Sequence, residues 1–355
     1  MENPIIGIGR RLARRTRQVS FQRIYPICPA AHNFVFFELR RRLIGTLSLM
    51  RARPLRRLPD IFRKTNSGTN PAEPLVSIIV PCYNHADYLQ QRLRSIIEQT
   101  YVNIEIILLD DCSNDGSQDI LRTFADEHPH ITTLIVNQAN SGQPFGQWAR
   151  GLQAAKGELV WIAESDDFCA QNFLAELVPQ FNNRGVMLAL GRTLFVDSTG
   201  QREVWSLEEY LPAMGARFWQ KPFTETAHTL ILKIWAQQNL VPNASGCLFR
   251  KPNHHPLLEQ QWWQQLRVCG DWLFYLELIR GGLVAYTPNT TNSYRQHPAN
   301  SSVEQHRSKR YFHEHLLTAQ WICSHHPLSN RAVGNLRKEL TRRWAGEAQV
   351  AYGSV

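Results

Sequence analysis

The stretch LVSIIVPCYNHADYLQQRLRSIIEQTYVNIEIILLDDCSNDG, residues 75–116, decides the fold. Two short runs of apolar, largely β-branched residues, at 75–80 and 104–109, predict strands that are buried on both faces. Between them, apolar residues recur at helical spacing and predict a helix over residues 87–99. A strand, a helix and a strand in this order indicate parallel strands joined by a right-handed crossover.

The same alternation continues downstream. It predicts a helix at 117–127, a strand at 132–136, a helix at 145–155 and a strand at 158–163. The expected fold class is therefore α/β, with a mostly parallel sheet flanked by helices. In such sheets ligands bind beyond the carboxyl ends of the strands, so polar residues directly after strands are the candidates for a site.

Charged residues are distributed unevenly along the chain. Residues 1–74 hold 15 of the 39 lysines and arginines but only 4 of the 30 acidic residues, and they end in the turn-rich segment TNSGTNPAEP. We expect a basic N-terminal extension and linker over 1–74, a catalytic domain over 75–302 and a C-terminal helical region over 303–355. Beyond residue 173 the alternation weakens, although helices are expected near 272–280 and 311–323.

Several classes of protein are disfavoured. No run of about 18 apolar residues could form a spanning helix, and the first residues lack the apolar core of a secretory signal. The seven cysteines show no CxxC spacing, which favours a reducing cytoplasm. The arginines of the extension are mixed with apolar residues, which suits peripheral contact with the inner face of a membrane. A solvated extension, or one that binds RNA or a protein, is the alternative for this segment, and no nucleic acid is expected as a partner.

An acidic cluster follows the strand predicted at 158–163. Glu164, Asp166 and Asp167 offer oxygen ligands for Mg²⁺ or Mn²⁺, through which a protein can hold a diphosphate. Such a cation stabilises the charge on a leaving nucleoside diphosphate. The alternative role of two aspartates at this position is to cap the next helix.

The chain resembles the inverting family 2 glycosyltransferases of the GT-A fold. The segments that carry the resemblance appear in the order of that family: VSIIVPCYNHADYLQQRLRSIIEQTY, IEIILLDDCSNDGSQDIL, NSGQPFGQWARGLQAAKGELVWIAESDDF, CGDWLFYLELI and YRQHPANSS. They bracket residues 76–302. The resemblance implies a nucleoside-diphosphate-sugar donor, a Mn²⁺ or Mg²⁺ cofactor and a DXD metal element.

It also implies roles for particular residues after the first two strands. Pro81, Tyr83 and Asn84 lie where the family holds the base and ribose of the nucleotide, and Asp111 matches the carboxylate that accepts a hydrogen bond from the base. Turn formation and capping are the alternative roles of these residues.

Asp166 matches the metal ligand at the end of the DXD element, with Asp167 beside it. Glu164 replaces the more usual leading aspartate, so it is expected at the ribose or at metal-bound water. Arg150 matches a basic position near the donor, although a solvated helix face would also explain it. His297 matches a histidine that can join the metal, although a structural histidine is the alternative.

Asp271 matches the carboxylate that removes the proton of the acceptor hydroxyl, and the preceding acid of many relatives is Gly270 here. Its alternative role is the N-cap of the following helix. The expected activity is transfer of one or a few monosaccharides, with inversion, to a glycan or lipid-linked acceptor in cell-envelope polysaccharide biosynthesis. The alternatives are nucleotidyl transfer onto a sugar phosphate and a non-catalytic glycan-assembly protein.

Overall fold

The computed structural model describes residues 73–298, 300 and 308–351, without the side chains of residues 216 and 344–351. In this part of the chain ten strands form one sheet: β1 Val76–Cys82, β2 Ile104–Asp110, β3 Thr132–Val136, β4 Leu159–Ile162, β5 Phe168–Cys169, β6 Val186–Val196, β7 Glu203–Trp205, β8 Phe223–Thr226, β9 Cys247–Arg250 and β10 Leu283–Arg295.

The α-helices of the described residues, also numbered along the chain, are α1 Ala86–Ile97, α2 Ser117–Glu127, α3 Pro144–Ala154, α4 Phe173–Leu177, α5 Leu207–Tyr210, α6 Ala227–Leu230, α7 Gln261–Gln264, α8 Gly270–Leu278, α9 Lys309–His325 and α10 Asn330–Ala351. A π-helical turn, Ile231–Trp235, continues α6. Short 3₁₀ turns occupy Val178–Asn182, Pro212–Met214, Ala216–Gln220 and Ala244–Gly246.

The strands are ordered β3-β2-β1-β4-β9-β6-β10-β5 across the sheet. Parallel pairing joins β1 to both β2 and β4, β2 to β3, and β6 to β10. The short β9 lies antiparallel between β4 and β6, so the two parallel groups run in the same direction. The prediction of an α/β fold with a mostly parallel sheet is confirmed.

Burial explains why the first half of the sheet forms as it does. Every residue of β1 and β4 is buried, as expected of strands covered on both faces by helices. On α1 the buried apolar side chains Leu89, Leu93 and Ile96 recur at helical spacing and belong to the same apolar cluster as residues of β1. This sandwich fixes the carboxyl ends of β1, β2 and β4 side by side.

The helical C-terminal region is present in α9 and α10, which follow the sheet. The prediction of a basic extension over 1–74 lies outside the described residues except for Glu73 and Pro74. Among the helices that the structure describes, none combines the length and the apolar character needed to cross a bilayer.

Candidate active site at the carboxyl edge of the sheet

A cluster of three side chains lies beyond the carboxyl ends of β1, β4 and β10. His297 Nε2 lies 3.0 Å from Asp166 Oδ2, and one nitrogen of His85 joins them so that all three possible ligand atoms lie within 4.8 Å of one another. The Nδ1 atom of His85 lies 2.7 Å from the hydroxyl oxygen of Ser165, which fixes the ring and leaves Nε2 for a ligand. Tyr88 packs its ring against His297, 4.8 Å away.

The electrostatics of Asp166 favour its charged form. Burial acts to raise the pKa of this carboxyl, but the hydrogen bond from His297 and the proximity of His85 outweigh burial and hold the pKa below its ordinary value. An ionised carboxylate beside two imidazoles can bind a divalent cation. Asp166 and His297, both predicted as metal ligands, are thus brought together.

Asp167 faces a different set of partners. Its carboxylate accepts hydrogen bonds from Asn243 Nδ2 at 2.6 Å and from the backbone N–H of Arg295 at 3.0 Å, and Arg92 Nη2 lies 3.9 Å away. Burial and the charge of Asp166 raise the pKa of Asp167. The contacts of Asp167 are those of a buried anchor that joins the end of β4 to Asn243, to β10 and to α1.

Glu164 lies partly buried at the end of β4. Trp148 Nε1 donates to its Oε1 at 3.3 Å, and its backbone carbonyl accepts from Arg92 Nε at 2.8 Å. Burial, followed by the charges of Asp166 and Asp167, raises the pKa of Glu164 to about 8. This carboxyl would therefore lose its proton most readily when a cation lies nearby.

The alternative of helix capping is not seen for this cluster. The next helix, α4, begins at Phe173, and its N-cap is Asn172, several residues downstream of the acids. The side chains of Glu164, Asp166 and Asp167 therefore lie at the carboxyl edge of the sheet and do not cap α4.

Asp111 organises a loop. Its carboxylate accepts hydrogen bonds from five donors: Asn137 Nδ2, the N–H and hydroxyl of Ser141, the N–H of Gly142 and Gln147 Nε2, at 2.6–3.2 Å. The segment between β3 and α3 is therefore folded around the residue predicted to meet the base.

The residues predicted to hold the nucleotide line the end of β1. Pro81 is buried in the strand, whereas Tyr83 is 42% exposed just beyond it. Asn84 has a positive φ of 54°, a region that asparagine tolerates, and its Oδ1 accepts from the backbone N–H of Asn114 at 2.9 Å. Asn84 thus also forms the turn that was its alternative role. Arg150 is exposed on α3 and donates to Asn137 Oδ1.

Asp271 lies in the first turn of α8. The N-cap of this helix is Cys269, so the alternative that Asp271 caps the helix is wrong. Asn239 Nδ2 donates to Asp271 Oδ2 at 2.8 Å. Burial raises the pKa of Asp271 to about 7, against the opposing effect of hydrogen bonds from Trp272 and Asn239.

A cavity of about 1050 Å³ opens beside Asp271. Gln296, the residue before His297, lines it, so the cavity reaches the loop that carries one member of the cluster. Its aromatic walls are Phe195, Trp205, Tyr210, Trp272, Tyr294 and Tyr311. Trp205 is 54% exposed. Aromatic faces of this kind bind the apolar faces of sugar rings while polar edges bind hydroxyls.

His85 is the member of this site that sequence reasoning missed. It follows Asn84 directly at the start of α1, on the same edge as the acids. A histidine after a strand end in an α/β sheet was the available signal. His85 could be assigned to the cluster only from its distance to Asp166, and a sequence does not give distances.

Comparison with known proteins identifies relatives. Residues 77–251 match the model of glycosyl transferase family 2. Glycosyltransferase GlyG of Streptococcus pneumoniae is 36% identical over 117 residues, 33% of this chain and 38% of GlyG. A poly(ribitol-phosphate) beta-glucosyltransferase of Bacillus spizizenii is 34% identical over 101 residues, 28% of this chain and 16% of the relative. The chain thus spans well under two thirds of the length of these relatives.

Two solved structures share the fold. S. aureus TarS 1-349 in complex with UDP-GlcNAc has a TM-score of 0.57 at 18% identity, over 79% of this chain and 76% of that one. The mannosyltransferase PcManGT of Pyrobaculum calidifontis, in complex with GDP-Man and Mn²⁺, has a TM-score of 0.50 at 18% identity, over 90% of this chain and 84% of that one. At this identity the likeness supports the GT-A fold.

Proposed function

This chain belongs to glycosyl transferase family 2, and from that premise we propose that it moves a monosaccharide from a nucleoside-diphosphate sugar to a glycan or lipid-linked acceptor, with inversion. One observation carries the proposal. Beyond the carboxyl edge of the sheet His85, Asp166 and His297 form a cluster that could hold a metal ion, and the loop that carries His297 also lines the cavity beside a second carboxylate, Asp271.

The cluster fits a divalent cation. Adjacent ligands about 2.1 Å from an octahedral ion lie about 3 Å apart, close to the distance between Asp166 Oδ2 and His297 Nε2. Two imidazole nitrogens favour Mn²⁺ over Mg²⁺, which prefers oxygen ligands. The chemistry that such a cation supplies is Lewis-acid stabilisation of a leaving diphosphate. Asp167, predicted as a supporting ligand, is assigned instead the role of holding the loop.

The donor nucleotide is assigned to the surface between the ends of β1 and β2. Tyr83 offers an exposed ring for the base, and Pro81 and Asn84 shape the turn beneath it. Asp111 would accept a hydrogen bond from the base only by exchanging one of its protein donors. Arg150 is assigned to the same side, through its contact with Asn137.

Asp271 is assigned as the general base. A carboxyl with a pKa of about 7 is half ionised near neutrality, which suits proton removal from a hydroxyl. The acceptor oxygen forms a bond to the anomeric carbon as the bond from that carbon to the diphosphate oxygen breaks. The proton goes to Asp271, and the bonding electron pair leaves with the diphosphate. Attack opposite the leaving group inverts the anomeric centre.

The acceptor is assigned to the cavity beside Asp271. Its aromatic walls and its amide side chains, Gln238, Asn239 and Gln296, suit a saccharide. A relative named for poly(ribitol-phosphate) supports a role in cell-envelope polysaccharide biosynthesis. A cytoplasmic location, with peripheral contact of the basic segment 1–74 at the inner face of the membrane, completes the proposal.

A donor screen tests the proposal. Thermal unfolding of the full chain is followed with Mn²⁺, Mg²⁺ or EDTA and each of UDP-, GDP- and dTDP-sugars, beginning with UDP-GlcNAc and GDP-Man. We expect one nucleotide class to raise the Tm only when a divalent cation is present, with slow release of the nucleoside diphosphate. Equal stabilisation in EDTA would contradict the metal site, and stabilisation only by a nucleoside triphosphate with a sugar phosphate would indicate nucleotidyl transfer.

A further inference from the structure

A buried acid outside the site holds the backbone that leads into the helix of Asp271. Glu314, on α9, is almost fully buried. Its Oε1 accepts the backbone N–H of Arg267 at 2.9 Å, and its Oε2 accepts those of Val268 at 2.8 Å and Cys269 at 3.0 Å. One carboxylate thus binds three successive backbone donors.

These donors belong to the entry of α8. Cys269 is the N-cap, and its side chain donates or accepts no capping bond. Amides at a helix N-terminus have no partner within the helix, and a negative charge there is favoured by the helix dipole. Of the three donors, the amide of Cys269 is at the helix N-terminus and the other two precede it, so Glu314 binds the segment that leads into α8 and places a carboxylate there.

We propose that Glu314 is a positioning residue for the base: it fixes the segment 267–269 and thereby sets the place and the charge of Asp271. The assignment rests on the proposed role of Asp271. Both α9 and Glu314 lie beyond residues 77–251, the part of the chain that matches the family.

Glu314 also acts through its charge. Burial is the largest cause that raises the pKa of Asp271, and hydrogen bonds oppose it. The nearby charge of Glu314 is a smaller cause that raises it further. Within the described residues, the ionisable groups that interact with Asp271 include Tyr210, Cys247, Cys269 and Tyr275, and burial keeps each neutral by raising its pKa. Cations on the facing elements include Arg310, near Glu314, and Arg342 and Arg343, which are both paired with Glu339. Burial raises the pKa of Glu314 itself, and its three backbone N–H donors and Arg310 oppose that rise. Glu314 is the carboxyl whose proximity raises the pKa of Asp271.

Two variants of the full chain separate geometry from charge. Glu314→Gln keeps one acceptor oxygen and removes the charge, whereas Glu314→Ala removes both. Ile322→Val, which deletes one buried methyl from the same helix, is the stability control. For Glu314→Ala we expect kcat to fall on the order of 10- to 100-fold while the KM for the donor stays within about twofold, because misplacement of the base leaves donor binding intact.

Two readouts do not depend on turnover. We expect both Glu314 variants to lower the pKa of Asp271, followed by carbon NMR of its carboxyl, and Glu314→Ala to speed amide exchange at residues 267–269. Ile322→Val should change neither. If the Asp271 pKa and the exchange rates match those of Ile322→Val, the positioning role is wrong. If wild type transfers no sugar from any donor, the proposed function fails, and these two readouts still decide the role of Glu314.

Discussion

Replacement of Asp271 by asparagine tests the assignment of the base most directly. Asparagine is nearly isosteric and can still accept the hydrogen bond of Asn239 through its amide oxygen, so the cavity should keep its shape. Removal of a general base typically lowers the rate by a factor of about 10² to 10⁴. We therefore expect Asp271→Asn to lose transfer by this factor while it binds donor and Mn²⁺ as wild type does.

The pH dependence of the reaction is a second, independent test of Asp271 as the base. The base acts ionised, and the pKa of Asp271 lies at about 7. The kcat/KM of wild type should therefore fall about tenfold per pH unit below 7. This acidic limb should be absent from the residual activity of Asp271→Asn, measured by release of nucleoside diphosphate at saturating acceptor.

The substitution Asp271→Asn should raise the stability of the folded chain although it lowers the activity. A pKa of about 7 in the folded chain, against an ordinary value of 3.8, corresponds to about 4 kcal/mol of destabilisation by the ionised carboxyl. Because the side chain borders an open cavity, roughly 2–4 kcal/mol is the expected range. The cost is fully present above pH 7 and disappears below about pH 4, where the carboxyl is protonated in both states.

Urea unfolding at pH 8 and pH 4 measures this difference. Asp271→Asn should be more stable than wild type at pH 8 and equally stable at pH 4. Asp87→Asn, at an exposed acid of α1, is the matched control and should change stability little at either pH. Full transfer activity in Asp271→Asn, or a loss of activity that follows a loss of donor binding, would refute the assignment of the base.

Three further outcomes are expected. Asp166→Asn should abolish the Mn²⁺-dependent rise in Tm caused by the donor, which Asp271→Asn should retain; an unchanged rise would remove Asp166 from the metal site. His85→Ala and His297→Ala should each weaken Mn²⁺ binding at least about tenfold, measured by electron paramagnetic resonance of free Mn²⁺, and an effect of His297→Ala alone would exclude His85. Trp205→Ala should raise the acceptor KM about two- to tenfold with donor KM unchanged, whereas Trp205→Phe should stay near wild type; equal effects would exclude stacking.

The first half of the fold could be predicted because its signals are local. The helix at 117–127 and the strand at 132–136 have the predicted bounds, and other elements differ by one or two residues. Fully buried strands and amphipathic helices can be predicted from the spacing of apolar residues along the sequence. The resemblance to the family led us to expect Asp166 and His297 at one site, and their side chains lie 3.0 Å apart, whereas the role of Asp271 as the base stays a prediction.

The second half could not be predicted in the same way. Strands β7, β8 and β9 have three or four residues each, too few to show a period, and they form because the sheet already offers them an edge or a gap. The pairing of Asp167 with Asn243 joins residues 76 positions apart. Such contacts are set by packing of the whole domain, so neither the anchoring role of Asp167 nor the inclusion of His85 was visible from spacing.

The three hydrogen bonds that Glu314 accepts from the segment leading into α8 have a consequence for engineering. A shortened chain that stops after β10 would leave the backbone amides of 267–269 without their acceptor. Such a chain could keep its sheet and its donor surface and still turn over slowly. In grafts designed to change acceptor preference, α8 and α9 should therefore be exchanged as one unit.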